Sequence, residues 1–252
     1  MSLDPTCHEL IQLTFLLQGR PELEELYDCQ VAMVDYHNTD ALRFLLQGVN
    51  LVISTIPGVE QLSLIEASRA ARVDRFIPSE FEGLVSQRPM PEHDPYISKG
   101  SAEARALLRR YSRSKSAPLN YTIFSCGMFY ERFGPGGLQA RGMGASFEIL
   151  GQRDCMIDID HGYAQVPTTG PDGRAIHIAL TSAYDVARLV VAALDLGISN
   201  WPHEFKMYGS KLPSVQLSQI CSETMGGEKA AFKSKGTFAV LWLSANMSFR
   251  PR

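Results

Sequence analysis

The segment GVNLVISTIPGVEQLSLIEASRAARVDRFIPSEF, from Gly48 to Phe81, carries most of the information about the fold. Its part Leu51–Ile56 is a short apolar run, rich in β-branched residues, that stops at Pro57-Gly58 and predicts a strand. Apolar residues then recur at helical spacing over Leu62–Ala71, and a second apolar run begins at Arg75–Pro78. Strands that are apolar on both faces are typical of a parallel sheet covered by helices, so the segment predicts a strand–helix–strand unit.

This unit also predicts the position of a ligand site. The ligand crevice of an open parallel sheet lies beyond the carboxyl ends of its strands. In this segment those ends are Ser54–Gly58 and Pro78–Phe81. The architecture therefore indicates where a ligand binds, although it does not identify the ligand.

Strands and helices are predicted on both sides of the segment. The strands are Gln30–Asp35, Tyr121–Cys126 and Ala175–Leu180, and the helices are Asn38–Gln47, Tyr96–Tyr111, Ser182–Leu196 and Ser214–Met225. Glycines crowd the interval after residue 130, where apolar runs are few, which indicates a domain boundary. We therefore expect a regular α/β sheet domain over residues 1–130 and a smaller, loop-rich substrate lobe over residues 131–252, whose helices return to the sheet domain.

Composition narrows the class of protein. The 252 residues are 45% hydrophobic and 20% charged, as in an ordinary globular protein. A net charge of −3 and a pI near 6.1 argue against a nucleic-acid-binding surface. No run reaches the ~18–20 apolar residues of a membrane span, and the N-terminus lacks the basic region and cleavage site of a signal peptide. The five cysteines include no C-x-x-C pair, which favours reduced thiols in a cytoplasmic protein.

Lys99 is the best single candidate for a catalytic residue. It lies at a predicted helix start, after a Pro-rich loop and downstream of the strand end Pro78–Phe81. A lysine that points into a carboxyl-end crevice is desolvated, which suits acid–base work. The alternative is an ordinary solvated helix lysine. Tyr96 lies three residues earlier, one short of the Tyr-x-x-x-Lys spacing of short-chain dehydrogenases, so this pair favours neither interpretation.

Two charged clusters also have competing interpretations. The basic cluster consists of Arg105, Arg109, Arg110, Arg113 and Lys115. It is either a phosphate-binding patch or, as the helix macrodipole favours, a set of solvated cations at a helix C-terminus. The string Asp158–His161 contains metal-ligand types, but without a second cluster a polar turn is the better interpretation, and we predict no metal site.

The segment Gly48–Phe81 also resembles the NmrA-like and isoflavone-reductase-like family of atypical short-chain dehydrogenases. That family typically has G-V-D-V-V-I-S, then a glutamine, then L-I-E-A, then V-K-R-F-L-P-S-E-F-G. The matches in this chain fall within Gly48–Ser54, Gln61, Leu64–Ala67 and Arg75–Phe81. The resemblance extends from about residue 22 to about residue 228.

The resemblance implies a Rossmann-type NAD(P)-binding domain over residues 1–130. It implies an oxidoreductase that uses NADP, or NAD, to reduce a small aromatic or secondary-metabolite substrate. The cofactor-binding residues that it implies are Thr55, Ile56, Pro57, Gly58, Pro78, Ser79, Phe81, Lys99, Cys126, Gly127 and Phe129. Lys99 would also be catalytic, holding the nicotinamide ribose and steering protons. Some NmrA-like members bind dinucleotide without established turnover, so a dinucleotide-sensing or protein-binding regulator is the alternative.

The front of the chain departs from the family pattern. The family opens with a strand and G-x-x-G-x-x-G, whose amides and helix N-terminus hold the pyrophosphate, and this sequence contains no such motif. We therefore expect an N-terminally truncated Rossmann-like sheet, and an inactive truncated chain is a further alternative. In the strand order 3-2-1-4-5-6 the missing strand is central. The strands Gln30–Asp35 and Leu51–Ile56 then either pair directly or accept a substitute, for which Leu13–Leu17 is the candidate.

Overall fold

The computed structural model describes residues 14–17, 25, 29–87, 100–134, 137–141, 143, 157–158, 163–164, 166–170 and 172–224. The strands are β1 (Thr14–Leu17), β2 (Gln30–Met33), β3 (Leu51–Ile53), β4 (Arg75–Ile77), β5 (Asn120–Tyr121), β6 (Ile123–Ser125), β7 (Met128–Phe129), β8 (Ile157–Asp158), β9 (Tyr163–Ala164), β10 (His177–Thr181), β11 (Glu204–Lys206) and β12 (Ser210–Pro213). The α-helices are α1 (Thr39–Leu45), α2 (Gly58–Ala70), α3 (Ser101–Ser112), α4 (Ala183–Leu194) and α5 (Ser214–Thr224). Lys99 and residues 159–161 of the candidate metal string lie outside the described residues.

Side-chain caps start two of the helices where the sequence predicts them. The Asn38 side chain accepts a hydrogen bond from the N–H of Ala41 at 3.0 Å, and Ser182 accepts one from Tyr184 at 3.2 Å. Helix α2 instead begins at Gly58, earlier than the apolar spacing predicts. The first turn of α2 shows no apolar spacing because its buried residues are Gly58 and Gln61, whereas its large apolar residue, Val59, is 60% exposed.

The central sheet is parallel. Strands β3, β4 and β5 pair in that order, and β6 pairs with β11. Strands β5 and β6 are one stretch of chain divided at Thr122, whose N–H donates to the Phe76 carbonyl at 3.1 Å. A second ladder joins β7, β10 and β12, in which β7–β10 is parallel and β10–β12 antiparallel. The predicted α/β class with a parallel sheet is confirmed.

Helices cover both faces of the central sheet. Phe76 and Ile77 are neighbours on β4, so their side chains point to opposite faces, and both are 0% exposed. Phe76 packs in a cluster with residues of α1, α2 and α3, whereas Ile77 packs with residues of α4. Residues beyond 131 thus return to the sheet, and the division into two domains at residue 130 stays a prediction. No helix within the described ranges is long and apolar enough to cross a membrane.

The segment that the sequence offers as a substitute strand forms β1, but it does not fill the gap beside β3. It pairs in parallel with β2, with Thr14 opposite Gln30. Within the described part of the chain, no ladder joins β1 or β2 to β3, whose one partner is β4. The N–H of Ser54 donates to the Ile77 carbonyl, so by alternation the backbone groups of Leu51 and Ile53 face the other edge. That edge of β3 carries no strand within the described ranges.

Candidate functional site

The carboxyl ends of β3, β4 and β6 lie side by side. The N–H of Ser54 donates to the Ile77 carbonyl at 2.8 Å, which joins the end of β3 to the end of β4. The N–H groups of Cys126 and Gly127 donate to the Glu82 carbonyl at 2.8 and 3.0 Å, which joins the chain after β4 to the chain after β6. The loops that the sequence predicts for a ligand site therefore follow one edge of the sheet.

Gln61 connects helix α2 to the loop after β4. Its side chain is fully buried, and its Oε1 accepts a hydrogen bond from the N–H of Ser79 at 2.6 Å. Its Nε2 is buried and has no hydrogen-bond partner among the described residues. Leaving such a group unpaired costs about 1–3 kcal/mol. Gln61 therefore fixes the Ser79 backbone and leaves one buried donor next to the predicted site.

Glu80 forms a buried ion pair with Arg105 of α3. The distance from Oε2 to Nη1 is 3.0 Å, and the side chains are 0% and 9% exposed. Both interpretations of the basic cluster are therefore wrong for Arg105, which is neither a solvated cation nor part of an open patch. Helical spacing does not reveal the pair because the carboxylate comes from a strand end 25 residues earlier. The other four basic residues of the cluster are exposed.

The N-termini of α2 and α3 meet at the same edge. Gly58 opens α2 with φ 81°, and Gly100 precedes α3 with φ 62°; neither helix has a side-chain cap. A Cβ atom on Gly100 would lie 3.3 Å from the Gly58 carbonyl oxygen. The chain therefore enters α3 directly beside the loop after β3. The position and role of Lys99, the residue before Gly100, stay predictions.

The predicted cofactor-binding residues that the structure describes differ in exposure. Thr55 is exposed; Ile56, Pro57, Ser79, Phe81, Gly127 and Phe129 are half-buried; Gly58, Pro78 and Cys126 are buried. Phe81, Cys126 and Phe129 pack in one apolar cluster with Ile77. Thr55 and Ser79 carry hydroxyls at the ends of β3 and β4, and Phe81 and Phe129 carry half-buried rings, which are groups that a ribose and a nicotinamide could contact. The cofactor-binding role of each of these residues stays a prediction.

Packing explains why residue 127 is a glycine, and the family resemblance does not predict this steric constraint. Its φ is 76°, and a Cβ atom would lie 2.2 Å from the Ala179 carbonyl oxygen and 2.6 Å from the carbonyl carbon. Ala179 belongs to β10, against which the chain passes between β6 and β7. Any side chain would therefore separate these two backbones, whether or not a ligand binds.

Glu131 is a structural carboxylate near the site that the sequence analysis missed. It follows β7 and accepts hydrogen bonds from the Ser182 hydroxyl at 2.6 Å and the Ala183 N–H at 3.0 Å, at the start of α4. Burial raises the pKa of Glu131, but these two hydrogen bonds, a third to its own backbone and the positive charge of Arg141 together lower the pKa below its usual value. The charged carboxylate therefore holds α4 to the chain after β7. The partners are 51 and 52 residues away, so no local spacing signals them.

Comparison with known proteins identifies the fold. No protein-family model and no curated protein matches this chain. Among solved structures, a nucleoside-diphosphate-sugar epimerase from Staphylococcus aureus is 16% identical, with a TM-score of 0.57, over 89% of this chain and 71% of its own. Leucoanthocyanidin reductase from Vitis vinifera is 15% identical, with a TM-score of 0.55, over 84% of this chain and 66% of its own.

A third similar structure contains a nicotinamide cofactor. The triphenylmethane reductase of Citrobacter sp., complexed with NADP(H), is 17% identical, with a TM-score of 0.52, over 88% of this chain and 70% of its own. At such low identities the likeness establishes the fold and not the activity. The predicted Rossmann-like α/β fold is confirmed.

Proposed function

We propose that this chain is an NAD(P)H-dependent oxidoreductase of the isoflavone-reductase-like type that reduces a small aromatic or secondary-metabolite substrate. The main observation is that three strand ends and two helix N-termini meet at one edge of a parallel sheet, where open α/β sheets bind their ligands. The sequence resemblance over residues 48–81 supports the same class. Two of the similar structures are reductases, and one of them holds NADP(H).

In this proposal the nicotinamide cofactor, when bound, supplies the hydride for the reduction. Thr55 and Ser79 offer hydroxyls to the ribose, and Ile56 and Pro57 offer apolar surface to the ring. Gln61 keeps Ser79 in place, since its Oε1 holds the Ser79 N–H at 2.6 Å. Lys99 holds the nicotinamide ribose and delivers the proton that the reduced substrate needs.

Cofactor binding is tested by titrating the purified 252-residue chain with NADPH and, separately, with NADH. Cofactor fluorescence reports binding, and we expect saturation with NADPH at lower concentration than with NADH. A Thr55→Val variant removes a hydroxyl from an exposed side chain, so it should weaken binding without lowering the unfolding midpoint. If neither cofactor gives a saturable change at millimolar concentration, the proposed function is wrong.

Turnover is tested with Lys99→Ala and a panel of aromatic carbonyl substrates. General acid–base catalysis typically contributes about 10²–10⁴-fold, so we expect a loss of at least ~100-fold in kcat. Lys115→Ala is the matched control, since Lys115 is an exposed lysine beyond α3 and its loss should leave turnover unchanged. If the wild type binds the cofactor saturably but turns over no substrate, the proposal that the chain is an enzyme is wrong, and the dinucleotide-sensing regulator is favoured.

A further inference from the structure

A cavity that is open to solvent lies at the other end of the sheet from the proposed cofactor site. It has a volume of about 290 Å³. Its lining residues are Glu66, Arg69, Ala70, Arg72, Tyr111, Ser116 and Ala117. These residues come from the C-terminal turns of α2 and α3 and from the chain that leads into β4 and β5. The cavity therefore lies at the amino ends of the parallel strands, away from the crevice at their carboxyl ends.

Two residues of this cavity have an unfavourable backbone conformation. Arg72, with φ 63°, and Ala117, with φ 50°, are the two non-glycine residues with positive φ in the described part of the chain. Both line the cavity. A residue with a Cβ atom is disfavoured in this left-handed region, and such residues gather at functional sites where the surrounding structure holds them.

Arg72 occupies a position where glycine is usual. The N–H of Arg72 donates to the Arg69 carbonyl at 3.1 Å, and the N–H of Val73 donates to the Ser68 carbonyl at 3.0 Å. These two bonds form the Schellman motif that ends α2, and the left-handed residue of that motif is most often glycine. Here the chain keeps a long cationic side chain at this position and directs it to the rim of a cavity.

The guanidinium of Arg69, which lines the same cavity as Arg72, contacts the loop before β5. Its Nε donates to the Ala117 carbonyl and its Nη2 to the Ser114 hydroxyl and the Ser116 carbonyl, each at 3.4 Å. Its Cζ lies 4.3 Å from the centre of the Tyr111 ring. These contacts use Nε and Nη2, and Nη1 has no hydrogen bond to another described residue. The left-handed conformation of Ala117 therefore belongs to a loop that supplies acceptors to this arginine.

The cavity has more positive than negative charge. Glu66 is its one lining carboxylate, against Arg69 and Arg72. Within the described ranges, neither arginine is within 4.0 Å of a carboxylate oxygen, since the ion pairs there involve other residues. All the acceptors of Arg69 are uncharged. A guanidinium that has no carboxylate oxygen within 4.0 Å among the described residues is a strong donor to an oxyanion.

We propose that this cavity binds the phosphate or carboxylate group of a small anionic ligand through Arg69 and Arg72. The plainer explanation is that both arginines only complement the negative end of the α2 macrodipole. That explanation accounts for their charge. It does not account for an arginine at a glycine position or for a loop that holds Arg69 through three hydrogen bonds. The proposed anion site is independent of the cofactor site.

The test is a thermal unfolding titration with inorganic phosphate and, in a second arm, with citrate, at ionic strength kept constant with sodium chloride. We expect a saturable rise of the unfolding midpoint, about 3–6 °C at tenfold excess over the dissociation constant. The arm with the tighter binding identifies the preferred group, phosphate or carboxylate. A midpoint that does not rise saturably in either arm would refute the anion site.

Three variants make the test specific. Arg72→Gly relieves the left-handed strain and removes the cation, so it should fold at least as well as the wild type and bind the anion at least about tenfold more weakly. Arg43→Ala removes an exposed cation from the last turn of α1, outside the cavity, so it should fold equally well and keep the binding. Glu66→Gln removes an exposed like charge and should bind the anion more tightly. An equal rise of the midpoint in Arg72→Gly and wild type would refute the proposal.

Discussion

Replacing Gly127 by alanine should destabilise this protein strongly. Alanine at φ 76° is disfavoured by about 1–2 kcal/mol. The new Cβ would lie 2.2 Å from the Ala179 carbonyl oxygen and 2.6 Å from the carbonyl carbon, and backbone atoms in a strand ladder cannot turn aside. Overpacking of this kind typically costs a further ~1–3 kcal/mol. The free energy of unfolding should therefore fall by about 2–5 kcal/mol, out of the ~5–15 kcal/mol of a typical domain.

The measurement is urea unfolding followed by circular dichroism, with Gly173→Ala as the matched control. Gly173 has nearly the same φ, 75°, but a Cβ atom there meets nothing within 4 Å. The control should therefore show only the conformational cost, about 1–2 kcal/mol. The difference between the two variants isolates the steric cost, which we expect to be about 1–3 kcal/mol.

Two results would refute this reasoning. If Gly127→Ala is no less stable than Gly173→Ala, the close approach of β10 does not constrain the chain at Gly127. If stability is unchanged while the affinity for NADPH falls, Gly127 is a glycine because of the cofactor, as the family resemblance implies, and not because of packing.

Three further predictions concern other parts of the fold. Arg105→Ala should lower the free energy of unfolding by about 3–5 kcal/mol in urea titrations because it breaks a buried ion pair of the Glu80 carboxylate, whereas the exposed Arg109→Ala should change it by less than ~0.5 kcal/mol. The folded-state pKa of Glu131 is lowered, so its contribution to stability is present above its unfolded pKa and is lost as the pH falls through the folded pKa. The unfolding midpoint of Glu131→Gln should therefore fall less steeply than that of the wild type when the pH is lowered below about 4.5. An unchanged slope would contradict this role of Glu131. The amide protons of Leu51 and Ile53 should exchange with deuterium faster than those in the middle of the sheet, and full protection would mean that another strand covers this edge.

Much of the secondary structure could be predicted because its causes are local. The cap at Asn38 acts within three residues, and the one at Ser182 acts within two. Continuous apolar runs predicted β3 and β4 as strands buried on both faces. The opposite directions of the buried Phe76 and Ile77 confirm this for β4, whereas Ile53 of β3 is 43% exposed. The short strands β7, β11 and β12 were missed because β7 has only two residues, and because β11 and β12 contain the charged residues Glu204, Lys206 and Lys211 and so form no continuous apolar run.

The candidate site also has a part that the sequence predicts and a part that it does not. The strand ends that form it follow from the parallel order of the sheet, so residues 54–58 and 78–81 could be predicted as its edge. The residues that hold it together could not. Gln61 and Ser79 are 18 residues apart, and the carboxylate of Glu80 meets an arginine 25 residues further along the chain. Such contacts depend on how α2 and α3 pack on the sheet.

The amino-acid sequence therefore determined the α/β class, the strand–helix–strand unit of residues 48–81 and the edge at which a ligand should bind, because hydrophobic periodicity and turn residues act over a few neighbours. Only tertiary packing decided that Arg105 is a buried partner and that Gly127 must have no side chain. It also decided that Arg69 and Arg72 share a cavity with Ala117. Each of these depends on atoms from distant parts of the chain that come within a few ångströms of one another only after folding.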